Sequence, residues 1–68
     1  LLTVDFPQEL LNKLPANKQQ AAIDVLSHDP RPSYQQDSDR VYGLSFAGFN
    51  IRFVIQDTML TVQEVSPL

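Results

Sequence analysis

Apolar and polar residues alternate most regularly over residues 49–56, FNIRFVIQ. Phe49, Ile51, Phe53 and Ile55 fall on one face of an extended chain, and Asn50, Arg52, Val54 and Gln56 on the other. Successive side chains of a strand point to opposite faces, so the pattern predicts a strand with one buried and one half-exposed side. The flanking stretches extend it into three antiparallel strands over residues 40–65. Tyr42, Leu44 and Phe46 alternate in the first, and Leu60 and Val62 supply apolar positions in the third. Ala47-Gly48 and Asp57-Thr58 stand where tight turns are needed. Gly48 can take positive φ without a Cβ clash, and Asp57 can hydrogen-bond its own backbone.

Upstream, the period changes. Residues 1–6, LLTVDF, are rich in strand formers and predict a short first strand. Pro7 ends the pairing and suits the first turn of a helix, while Asp5 and Gln8 have the spacing of a capping box. Leu10, Leu11 and Leu14 form one apolar stripe, which predicts a helix over 8–14, interrupted by Pro15. A second helix over 16–27 turns Ala22, Ile23 and Leu26 inward, with Val25 beside them. The two helices are expected to pack as a hairpin on the Phe49/Ile51/Phe53 face. Residues 29–39, DPRPSYQQDSD, read as a loop, because two prolines and a polar run stop the helix and forbid another. The fold class expected is α+β: one domain over 1–68, a small antiparallel sheet of three to four strands with two short helices on one face, in the order β-α-α-β-β-β.

A chain of 68 residues buries only about 60% of its unfolded surface, so the core is small. It has no cysteine, which excludes disulfides and thiolate metal sites and fits a reducing, cytoplasmic setting. With one histidine, neither a metal nor another cofactor is expected. No apolar run approaches the ~20 residues of a membrane span, and no membrane association is expected. Five basic against eight acidic residues give a net charge of −3, the opposite of the basic footprint that phosphate binding needs.

Arg52 is the sharpest single residue. It lies mid-strand on the face opposite the aromatic stripe, beside Asn50. Its planar donor fork suits a phosphate or carboxylate, and a solvated pairing with Glu64 across the sheet is the plainer role. Arg40, at the start of the first core strand, could reach the same face. Arg31 and Arg40 flank the loop, where Asp37 and Asp39 could balance them. His28 ends the second helix, where a cation is favoured by the helix dipole and can cap a carbonyl. Tyr34 is the ring most available to stack a base, whereas Tyr42 falls on the core side. Val54, Met59 and Val65 would give the open face an apolar surface for a partner or a second copy.

The order of these features resembles the RelE/ParE-like toxins of bacterial toxin–antitoxin systems. The resemblance rests on the short first strand, the helix ending in Leu14-Pro15, the second helix running into Asp29-Pro30-Arg31-Pro32, then Tyr42-Gly43-Leu44 and Phe49-Asn50-Ile51-Arg52-Phe53. It implies ribosome-dependent messenger RNA cleavage on the open sheet face, with Arg52 and Arg40 as catalytic residues and Asn50, Tyr34 and Arg31 binding RNA or a partner. It further implies a cognate antitoxin, contact with ribosome and messenger RNA, and a possible homodimer. The chain departs from that family where its chemistry lies. Asn50 stands at the usual strand arginine, Ser33, Gln35 and Gln36 replace lysines, and Ser66-Pro67-Leu68 stands where a basic segment is usual. A non-catalytic protein-interaction module on the same scaffold is the alternative these departures favour.

Overall fold

A computed structural model describes residues 1–32 and 39–68. Its elements are β1 (Thr3–Asp5), α1 (Gln8–Leu11), a 3₁₀ turn (Ala16–Lys18), α2 (Gln19–Ser27), β2 (Tyr42–Phe46), β3 (Phe49–Gln56) and β4 (Met59–Pro67). The α+β class and the two helices are as the periodicity predicts. The four strands form one sheet in the order β1-β4-β3-β2. β2, β3 and β4 are antiparallel neighbours, whereas β1 joins β4 in parallel, Thr3 opposite Met59 and Asp5 opposite Thr61. The sheet is therefore mixed. Parallel pairing needs a crossover, and the helices between β1 and β2 carry the chain over the sheet before it returns.

The helices are shorter than the apolar stripes alone predict. α1 stops at Leu11, and the next residues turn instead of continuing to Leu14. Pro15 stands at the N-cap of the 3₁₀ turn, φ −55, and has no N–H to extend α1. Leu14 is nonetheless fully buried, and Gln19 donates from Nε2 to its carbonyl at 3.1 Å. α2 buries Ala22 and Leu26 and leaves Val25 exposed. Its end is closed by Asp29 at φ 56, the left-handed position usually given to glycine. There the Asp29 N–H reaches the Leu26 carbonyl at 3.1 Å.

The core is continuous under the helices. Ile51, Phe53 and Ile55 of β3, Leu60, Val62 and Val65 of β4, Tyr42 of β2 and Leu14, Ala22 and Leu26 from the helical layer are all buried. Tyr42 stacks on Phe53 with ring centroids 5.7 Å apart and planes 21° apart. Phe49, expected in the same layer, is half-buried against it with Leu44 and Phe46. Val65 corrects the expectation that it would face outward. Strict alternation from Leu60 and Val62 sends residue 65 to the open side, but the register jumps between Arg52↔Glu64 and Phe53↔Val62. Gln63 is the extra residue of a β-bulge, and the alternation resumes one position later with Val65 inside.

The two turns differ. Ala47 and Gly48 both have positive φ, 53 and 83, as a type I′ hairpin requires. In the second turn only Asp57 does, at φ 54.

Candidate functional site

The side of the sheet away from the helices presents the alternate residues of four strands. Register sets its rows. Asp5 stands beside Thr61 and Thr61 beside Val54, while Arg52 lies between Glu64 and Gly43. Asn50 lies between Ser66 and Ser45. A depression of about 370 Å³ opens next to the β3–β4 turn, lined by Val54, Gln56, Asp57, Thr58, Met59 and Thr61. Its apolar side chains are Met59, 44% exposed, and half-buried Val54, so an uncovered apolar patch sits within a polar face that also carries Asp5 and Asp57. Arg52 is exposed here, as expected, with Glu64 as its cross-strand neighbour, though the two side chains do not close into an ion pair. Asn50 leans over Gly43, its Oδ1 3.2 Å from where a Cβ would be, so a side chain there would oblige Asn50 to shift by a few tenths of an ångström.

A second cluster lies at the base of the loop after α2. Arg31 donates from Nε to Asp29 Oδ1 and from its terminal NH2 to Oδ2, both at 2.8 Å, and its backbone N–H reaches Oδ1 at 3.3 Å. The Arg31 side chain is only 13% exposed. The two side-chain hydrogen bonds hold the Asp29 carboxyl below the ordinary carboxylate range, outweighing the opposite effect of its partial burial. The same bonds raise the Arg31 guanidinium, to which the Tyr42 hydroxyl also contributes. Arg40 sits over the Tyr42 ring, 5.9 Å from its centroid, in cation–π geometry. Asp29, Arg31, Arg40 and Tyr42 thus form a tie that pins both ends of the loop to the sheet edge.

The described sequence-predicted residues fall into two groups, Arg31 with Arg40 at the base of the loop and Asn50 with Arg52 on the open face. Arg40 lies on the helix side with Tyr42, and Arg52 on the open side with Gly43, so the sheet separates the pair expected to act in concert. Arg31 is held by Asp29, and Asp37, offered as its counter-charge, lies outside the described residues. The sequence shows only an aspartate two residues before an arginine, and the left-handed backbone that joins them is seen in the structure. Tyr34 lies outside the described residues. Asn50 is on the open face as expected. His28 caps its helix, with Nδ1 2.7 Å from the Asp24 carbonyl. Lys13 donates from Nζ to the Val65 carbonyl at 3.3 Å, which ties the turn after α1 to β4 just past the bulge. Among the described residues, no three His, Asp or Glu side chains converge as a metal cluster, and no helix is long and apolar enough to cross a membrane.

Comparison with protein-family models gives a match to the TrmO C-terminal domain over residues 1–68, the whole chain. Neither curated proteins nor solved structures yield a match. The family match overturns the RelE/ParE-like toxin kinship and the messenger RNA-cleaving toxin activity drawn from it. A strand, a helical hairpin and two β-hairpins describe an architecture that unrelated functions share, and the positions that would have carried the toxin chemistry were those already departing from it. The antitoxin and ribosome expectations rested on that kinship and lose their ground with it.

Proposed function

Since the chain belongs to the TrmO C-terminal domain family, we propose that it is the accessory domain of a tRNA-modification enzyme of the methyltransferase type, and that it works in the cytoplasm, where such an enzyme meets its tRNA. The match across residues 1–68 carries this reading. The geometry supports a particular division of labour, in which the domain holds the rest of the enzyme and does not itself grip the phosphate backbone. Phosphate binding needs several cations on one surface. Here Lys13 serves a backbone carbonyl, Arg31 is clamped by Asp29, Arg40 lies over Tyr42, Lys18 is exposed in the 3₁₀ turn, and Arg52 lies on the far side of the sheet opposite Glu64. What the open face offers is the Val54/Met59/Thr61 depression with Asp5 and Asp57 near it, a surface suited to protein contact.

Two measurements test the reading. Titrated with tRNA, the 68-residue chain is expected to bind weakly, with a shallow dependence of affinity on salt. In the full-length enzyme, Met59→Asp is expected to reduce tRNA modification without unfolding the domain. Tight, steeply salt-dependent tRNA binding by the isolated chain would overturn the division of labour. Full tRNA modification by the Met59→Asp enzyme would remove the open face from it.

A further inference from the structure

The two edges of the sheet are not alike. β1 is three residues long, carries Asp5 on its outer half, and runs into Phe6-Pro7, so it is blunted in the ways that normally prevent edge-to-edge pairing. β2, at the other edge, has five residues, YGLSF, with no charge, no proline and no bulge. The Ala47-Gly48 turn fixes which of its backbone groups face outward. A two-residue hairpin loop closes on a hydrogen-bonded pair, here Phe46 and Phe49, and hydrogen-bonded pairs alternate with non-bonded ones along an antiparallel ladder. Leu44↔Ile51 and Tyr42↔Phe53 are then bonded pairs, whereas Gly43↔Arg52 and Ser45↔Asn50 are not. The N–H and C=O groups of Gly43 and Ser45 therefore point away from β3. Both residues are exposed, and among the described residues nothing hydrogen-bonds them across this edge.

We infer that β2 is a self-association edge, which pairs antiparallel with β2 of a second copy about a two-fold axis at Leu44. In that register Gly43 faces Ser45 of the other copy and Ser45 faces Gly43, so four backbone hydrogen bonds form from groups that have no partner among the described residues. The strand is self-complementary. No charged residue lies within it, so two copies meet without like-charge contact, and the outward-facing side chains nearest the ladder are a hydrogen and a hydroxymethyl group. On the helix side, half-buried Leu44 meets its counterpart and Phe46 faces Tyr42 of the second copy, which continues the apolar layer across the junction. Arg52 and Asn50, next to Gly43 and Ser45, come to line the open face of an eight-stranded sheet. The contact is short and falls below the area of a standard stable interface, so the association is weak and concentration-dependent. It is independent of the proposed role in tRNA modification.

Sedimentation velocity on the 68-residue chain up to about 1 mM, the weak end of specific association, tests this together with amide exchange. The expected result is a monomer–dimer equilibrium, with the Gly43 and Ser45 amides slowing as concentration rises. Ser45→Pro removes an N–H that β3 does not use, so the variant is expected to keep its circular dichroism and melting temperature while its self-association weakens at least tenfold. A chain that stays monomeric throughout overturns the inference. So does a folded Ser45→Pro protein that dimerises as well as the parent. If that variant fails to fold, the exchange data on the unaltered chain decide: protection at Val54 and Thr61 in place of Gly43 and Ser45 refutes edge pairing.

Discussion

Ala47 occupies a left-handed backbone position, φ 53, that its Cβ disfavours by roughly 1 kcal/mol. Ala47→Asn converts the turn to the Asn-Gly pair best suited to a type I′ hairpin. The expected gain is about 0.5–1 kcal/mol, read as a rise of a few degrees in the thermal midpoint. Asp29 shares the positive φ but is held by more than its backbone. Its carboxyl is lowered in the folded state, so its contribution is fully present above the unfolded value of about pH 4 and is lost as pH falls through the folded value. With the Asp29 side chain 37% exposed, that contribution is about 1 kcal/mol or less. The urea midpoint of the parent chain is expected to drop below about pH 4 more steeply than that of Asp29→Asn. At this scale the sequence was only partly legible. Arg52's exposure followed from period two alone. The partner of Arg31 did not, because it depends on a left-handed Asp29 that folds the carboxylate back onto the fork two residues on.

Among the elements, β4 is the one whose alternation misleads. Leu60 and Val62 predict an outward Val65, and the bulge at Gln63 turns it inward. A single sequence signals a bulge poorly, since one extra residue leaves both halves of the pattern intact and only shifts their phase. Removing Gln63 is therefore expected to preserve the pairing. The remaining residues already match Phe53↔Val62, Arg52↔Glu64 and Ile51↔Val65 in an unbroken ladder. The check is a retained cross-strand contact between Ile51 and Val65 by nuclear magnetic resonance, with stability within about 1 kcal/mol of the parent. The stretches of strict alternation, β2 and β3, were legible nearly to the residue. β1 was legible as a strand but not in its direction, because three residues carry no information on which neighbour they join or in which sense.

For the molecule as a whole, 68 residues imply a total stability of roughly 3–10 kcal/mol. Leu26 is fully buried and joins the helical layer to the sheet. Leu26→Ala is expected to cost ~2–5 kcal/mol, enough to leave a substantial unfolded fraction at 37 °C by circular dichroism. The fold class was readable because core and surface alternate with two distinct periods. The family was not, because a fold shared by unrelated proteins can be recognised from patterning while the function it serves cannot.

The parallel pairing of β1 with β4 has a mechanical outcome. Leu1 lies near the β3–β4 turn, through the Thr3 N–H on the Thr58 carbonyl, and Leu68 lies at the other pole, its N–H on the Gly48 carbonyl. Tension applied through these two residues drags β1 and β4 past each other along their length. Their hydrogen bonds then bear the load together, in shear, and do not unzip in sequence. A body 31 Å long wired in this way transmits a pull from pole to pole before it yields, and a single-molecule stretching trace would show that yielding as one abrupt event.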